Sequence, residues 1–167
     1  MKFIIFFASL VFSLSALSLV KVGDQGVCAK LTVIQQNGQE IEKETCEADQ
    51  ANGFVLLDFV SATCSYCVAS LPEVASFANE MRGELTLRQI GIDRNPDLLR
   101  EYWQEHKAHM VFDLALDQNR VMKNAYKVTA VPSYVLLDEN KKIIFVNEGT
   151  LDPEQFEEIR KLVRAKK

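Results

Sequence analysis

Cys64-Ser65-Tyr66-Cys67 constrains this chain more than any other stretch. It follows the apolar run Phe54-Val55-Leu56-Leu57-Asp58-Phe59-Val60 and heads a segment with helical spacing of Val68, Leu71, Val74, Ala75, Phe77 and Ala78. A strand that ends in a short loop and re-enters as a helix puts Cys64 at the helix N-terminus. Unpaired backbone N–H groups and the helix dipole stabilise an anion there. The relevant anion is a thiolate, the nucleophile of disulfide exchange. Two intervening residues let both sulfurs share the first turn, so a disulfide can open and close without unfolding anything.

The same spacing also binds zinc, which normally requires a second pair of ligands. Only His106 and His109 offer one, across a gap far longer than a zinc finger uses. Both belong to the polar stretch Glu105-His106-Lys107-Ala108-His109, which reads as a helix end, so no metal and no other cofactor is expected. A net charge of −4 without a basic cluster argues against nucleic acid as a partner. A chain of 167 residues, 48% apolar and 25% charged, is the size and composition of one globular domain.

The N-terminus stands apart from that globule. Lys2 precedes an uncharged run from Phe3 to Val20, and Lys21 closes it, the order of a secretory signal. Small residues in Ala16-Leu17-Ser18 allow cleavage after Ser18, which leaves residues 19–167 as a single mature domain. The competing reading is an uncleaved anchor at the short edge of a membrane span. Ser9, Ser13, Ser15 and Ser18 dilute the run and favour cleavage. Under either reading the globular part is exported, to the periplasm or anchored facing it, and the membrane is a partner only if the segment stays uncleaved.

Export changes what the other cysteines mean, because disulfides persist in oxidising compartments. Cys28 and Cys46 flank two β-rich runs joined by Gln36-Asn37-Gly38, a hairpin signal. If a three-residue loop joins Gln35 to Gln39, Cys28 falls opposite Cys46. A structural disulfide there would contribute about 3 kcal/mol in the loop-entropy model. A redox relay with Cys64 and Cys67, or two unpaired thiols, are the alternatives.

Further elements follow along the chain. A strand is expected over Leu85 to Ile92, and a helix from the cap and proline of Asn95-Pro96-Asp97, with Leu98, Leu99, Tyr102 and Trp103 as its core stripe. Met110 to Leu116 is a short apolar run, followed by a helix from Gln118 to Tyr126. Ser133–Leu137 and Ile143–Val146 read as strands around Asp138-Glu139-Asn140-Lys141. Asp152-Pro153-Glu154-Gln155 opens a last helix with a capping box; Phe156, Ile159, Leu162 and Val163 face inward. This order implies an α/β fold, a mixed sheet sandwiched between helices.

At this point the chain resembles the thioredoxin superfamily, and within it the exported TlpA/ResA-like thiol–disulfide oxidoreductases, over about residues 27–165. Four features carry the resemblance: Cys64-Ser65-Tyr66-Cys67 after a strand; Asp58, where thioredoxins keep a buried acid; Pro72 in the active-site helix; and Val131-Pro132, which looks like the family's cis-proline loop. The segment of about residues 93–127 is similar to the insertion of the TlpA/ResA branch, as is the leading hairpin. The chain departs from the family at Thr63, where tryptophan is usual, at Tyr66, where proline is common, and at Ser70, where ResA-like proteins carry an acid.

The resemblance implies roles for these residues. Cys64 is the attacking thiolate and Cys67 resolves the mixed disulfide. Asp58, desolvated among Leu56, Leu57, Phe59 and Val60, exchanges a proton with Cys67; the bland alternative is a strand-end surface carboxylate. Val131, Pro132 and Tyr66 receive a client chain. The partners implied are client proteins with cysteines or disulfides and a membrane thiol relay as electron donor. No Lys, Arg or His lies within the motif, so the helix terminus must stabilise the thiolate, and a moderately reducing protein is expected. Rival readings are a thioredoxin-fold binding module with a redox-inert disulfide and a peroxidase, which would need an arginine beside Cys64.

Overall fold

The computed structural model describes residues 20–49 and 53–165. The expected signal segment, residues 1–18, lies outside the described residues. Strands β1 (Lys30–Ile34), β2 (Glu40–Glu44), β3 (Val55–Val60), β4 (Thr86–Gly91), β5 (Asp113–Leu116), β6 (Ser133–Leu137) and β7 (Ile143–Glu148) form one mixed sheet in the order β2-β1-β5-β4-β3-β6-β7. Helices α1 (Ser65–Glu80), α2 (Pro96–Glu105), α3 (Val121–Ala125) and α4 (Pro153–Arg164) cover its two faces.

Alternation along the strands divides the core into two layers. On one face Leu56, Val60 and Leu136 meet Leu71, Val74 and Phe77 of α1, Leu99 and Trp103 of α2, and Ile159 and Val163 of α4. On the other, Val55, Leu57, Phe59 and Val135 meet Met122 of α3 and Tyr126 just beyond it. Central strand β3 runs parallel to β4 and antiparallel to β6, and every residue in it is buried. A strand covered on both faces reads as a continuous apolar run, which makes Asp58 at its centre conspicuous.

The hairpin forms with the register Lys30↔Glu44 through Ile34↔Glu40, and Gly38 takes the left-handed conformation (φ 85°) its turn requires. It joins the main sheet through antiparallel pairing of β1 with β5. The apolar run at 110–116 thus contains a strand, β5, where the sequence marked no element. Its neighbours β4 and β1 bury all four residues from Asp113 to Leu116. Two other expectations shift. The helix expected over Gln118–Tyr126 is confined to Val121–Ala125, because Arg120 sits in the left-handed region (φ 56°) and the preceding residues form a turn. Leu98 is exposed, since Leu99, Tyr102 and Trp103 share a helical face that it falls beside.

Arg88 on β4, fully buried, donates through Nη1 to the carbonyls of Glu44 (2.8 Å), Thr45 (3.1 Å) and Glu47 (3.1 Å). This fixes the chain as it leaves the hairpin. Lys43 and Asp113 complete the ionic cluster, 3.2 Å apart.

Candidate active site

Three parallel strands, β3, β4 and β5, end at the same edge of the sheet, and α1 begins there. Cys64 is the N-cap of α1, with extended backbone (φ −87°, ψ 105°), and its Sγ accepts the Cys67 N–H at 3.1 Å. The cap position is the one where a side-chain acceptor satisfies an orphan helix N–H. A thiolate fills it with a full negative charge, so the hydrogen bond and the dipole both favour the ionised sulfur. Among the described residues no cationic side chain hydrogen-bonds either sulfur.

Cys64 and Cys67 are bonded to each other, with their Cα atoms 5.3 Å apart. Their exposure differs: Cys64 is half-buried, whereas Cys67 is 2% exposed. An incoming sulfur can reach only the first. Cys64 Sγ also lies 3.5 Å from the carbonyl oxygen of Val131, and the Val131–Pro132 peptide is cis. Val131 is half-buried and Pro132 buried, so Val131 is the member of the pair that reaches solvent. Around the sulfur Thr63, Thr129 and Ala130 are exposed, and Tyr66 stands out at 71% exposure.

The loop before Cys64 is held by Asp93, just after β4. Its carboxylate accepts from Ser61 Oγ and from the Ala62 N–H, both at 2.9 Å. No sequence motif marks Asp93. Its only signal was a carboxylate placed directly after a strand parallel to the one that carries the motif.

Asp58 is 1% exposed and lies on the sheet face that carries α1. Gln89 Nε2 donates to its Oδ2 at 2.9 Å. Burial pushes its carboxyl up to about 7, against the smaller opposing effect of that hydrogen bond. The surface-carboxylate alternative therefore falls. Ser70, where the TlpA/ResA branch carries an acid, is buried and donates its hydroxyl to the Cys67 carbonyl at 3.2 Å.

The remaining sequence candidates sit elsewhere. His106 caps the C-terminal end of α2, with its ring edge-on to Tyr102 at 4.9 Å, and His109 is exposed in the following 3₁₀ turn. Because α2 starts after β4 at the motif's edge and runs back along the sheet, both histidines lie at the far end from Cys64. Among the described residues no three His, Cys, Asp or Glu side chains converge to hold a metal. Cys28 and Cys46 are bonded, with Cα atoms 5.4 Å apart; Cys46 is buried and Cys28 exposed.

Comparison with known proteins adds family context. The Redoxin family model matches residues 21–163. The chain is similar to thiol-disulfide oxidoreductase ResA of Halalkalibacterium halodurans, 24% identical over 149 residues that cover 88% of this chain and 80% of the relative. Among solved structures, a thiol:disulfide interchange protein DsbE from Chlorobium tepidum superposes with a TM-score of 0.69 at 20% identity, covering 89% of this chain and 98% of that one. The mitochondrial 2-Cys peroxiredoxin of Plasmodium falciparum superposes with a TM-score of 0.70 at 13% identity, covering 87% and 96%. At these identities the structural likeness is one of fold, shared by exchange enzymes and peroxidases alike.

Proposed function

This chain belongs to the Redoxin family and is a thiol–disulfide oxidoreductase of the ResA/DsbE type, and from that premise we propose that it works as a reductant of client disulfides outside the cytoplasm. The observation that carries the reading is the unequal pair at the start of α1: a reachable Cys64 whose sulfur caps the helix, and a buried Cys67 behind it.

The chemistry runs in two exchanges. The Cys64 thiolate attacks one sulfur of a client disulfide and releases the other as a thiolate, which takes a proton from water. Cys67 then gives its proton to the Asp58 carboxylate and attacks Cys64. The Cys64–Cys67 bond forms and the Cys64–client bond breaks, so two electrons have passed to the client. Asp58 suits this step because a carboxyl near 7 both accepts and returns a proton at neutral pH. The Val131 carbonyl beside the sulfur and the exposed Tyr66, two residues along the chain from Cys64, are the contacts offered to a client backbone and side chain.

The cap alone leans toward oxidation, because it stabilises a thiolate that exists only in the reduced form, and the reducing reading requires that lean to be small. A free thiol at 8.5 is about 3% ionised at neutral pH, and one at 7 is about half ionised. The kinetic gain is largely cancelled because a less basic thiolate is a weaker nucleophile. Stabilising the thiolate nevertheless stabilises the reduced form, and each gain of about 1.4 kcal/mol made in this way raises the potential by about 30 mV. That is a modest bias, far short of a strong oxidant. Such a reductant in an oxidising compartment needs an electron donor, and a membrane thiol relay fits that need. The signal-like run from Phe3 to Val20 supports export, as does the second disulfide, Cys28–Cys46.

A peroxidase would need an arginine at the attacking sulfur, and among the described residues none hydrogen-bonds Cys64. The proposed activity is tested with Cys67→Ser protein and a disulfide-bonded peptide. The variant should accumulate a stable Cys64–peptide adduct seen by intact-mass spectrometry, and Cys64→Ser should form none. Equal adduct formation by both variants, or by neither, contradicts the assignment.

A further inference from the structure

Three neighbouring strands present a row of polar side chains to the layer beneath α1. Asp58 on β3 stands in register with Gln89 on β4 and with Tyr134 on β6, so the three project side by side from one face. Tyr102 enters this layer from α2 and Ser70 from α1; all five residues are buried. Polar groups in an apolar layer are costly unless paired. Two pairings are made, Gln89 Nε2 to Asp58 Oδ2 and Ser70 Oγ to the Cys67 carbonyl. Asp58 Oδ1, Gln89 Oε1 and the hydroxyls of Tyr102 and Tyr134 have no hydrogen-bond partner among the described residues.

These leftovers match in kind, two acceptors and two hydroxyl donors. Tyr102 has the Gln89 side chain within reach and Tyr134 that of Ser70, and both phenols lie close enough to Asp58 to feel its charge. Burial pushes both phenols well above their ordinary value, so they remain protonated donors throughout the working pH range. The other titratable groups facing the cluster are Cys67 and Glu73, both on α1.

We propose that Tyr134 is a positioning residue for the proton of Cys67: its hydroxyl donates to Asp58 Oδ1 when that carboxyl is ionised, with Tyr102 backing Gln89 in the same way. This inference rests on the acid–base role of Asp58 proposed above. The phenols neither gain nor lose a proton. Cys67 passes its proton to Asp58, and the electron pair left on its sulfur forms the bond to Cys64 as the client sulfur leaves. A donor to the charged carboxylate favours that form more than the neutral one, so the phenol holds Asp58 ready to accept. Because Tyr102 belongs to the 93–127 segment, that segment has a part in the chemistry.

The test uses full-length reduced protein and 5,5′-dithiobis(2-nitrobenzoate). Cys64 takes up one thionitrobenzoate, and attack by Cys67 releases a second; that release is followed by absorbance from pH 5 to 9. Tyr134→Phe should move the midpoint of the second release to higher pH by about half a unit or more, roughly a three-fold slowing on the acid side, while the plateau rate stays unchanged. Tyr102→Phe should shift it in the same direction by less, and it serves as the test should Tyr134→Phe fail to fold. In an Asp58→Asn background neither substitution should move the profile. Coincident wild-type and Phe profiles overturn this inference alone. No second release from the wild type overturns the exchange reading and the inference with it.

Discussion

Asp58 concentrates the energetics of the site in one carboxyl. It sits near 7 in the folded protein, against 3.8 for a free aspartate, because burial disfavours its charge. The folded state therefore keeps a proton that the unfolded chain has already released between about pH 4 and pH 7. Stability from this group is full below the unfolded value, is lost as pH rises through that window, and stays lost above it. The cost at pH 8 is at most about 4 kcal/mol. Asp58→Asn, which keeps an acceptor for Gln89, should raise the thermal midpoint at pH 8 by several degrees. That advantage should vanish near pH 4, and Cys67-dependent exchange should slow. An advantage independent of pH, measured by calorimetry, would contradict burial of the charge as its cause. At this scale the sequence was legible where chemistry is local: Cys64 as the cap and Asp58 as a buried acid follow from one strand and one helix start. Gln89, Tyr134 and Asp93 were not legible, because their parts depend on which strands lie beside β3 and in what register.

The hairpin shows how far local signals reach at the scale of elements. Asn37-Gly38 and the alternating runs around it define the turn and put Cys28 opposite Cys46, and this is the register found. What the hairpin docks against depends on β5, a four-residue strand whose apolar run is equally compatible with a buried helix segment. Helix α3 is shorter than its periodicity suggests for a similar reason, since the left-handed Arg120 leaves no mark in the pattern. Arg88 then fastens the exit of the hairpin by three carbonyls. The Cys28–Cys46 bridge lies beside this fastened region, and we propose that its task is structural. The double substitution Cys28→Ser, Cys46→Ser should cost about 3 kcal/mol, a fall of roughly 6–12 °C in the thermal midpoint, with thiol exchange at Cys64 retained. Loss of exchange in a folded double variant would instead make the second pair a relay.

For the whole molecule, the sheet order places two disulfides in different surroundings. Cys64–Cys67 lies at the C-terminal edge of the parallel strands, with one sulfur capping a helix and reachable from solvent. Cys28–Cys46 ties the outer hairpin, with Cys46 buried on the other sheet face. One pair should cycle while the other stays closed, and this contrast is the core of the functional account. Fold class was readable from the order of elements and the four family-like features. The direction of electron flow was not, because potential depends on hydrogen bonds to one sulfur that composition and spacing do not encode. The most direct measurement is a redox titration of the protein across glutathione ratios, with thiols alkylated and counted at each cysteine by mass spectrometry. The account requires Cys64 and Cys67 to titrate together as one couple with a midpoint below about −150 mV while Cys28–Cys46 stays bonded. A Cys64–Cys67 bond that never exchanges, or a midpoint above that value, would contradict it.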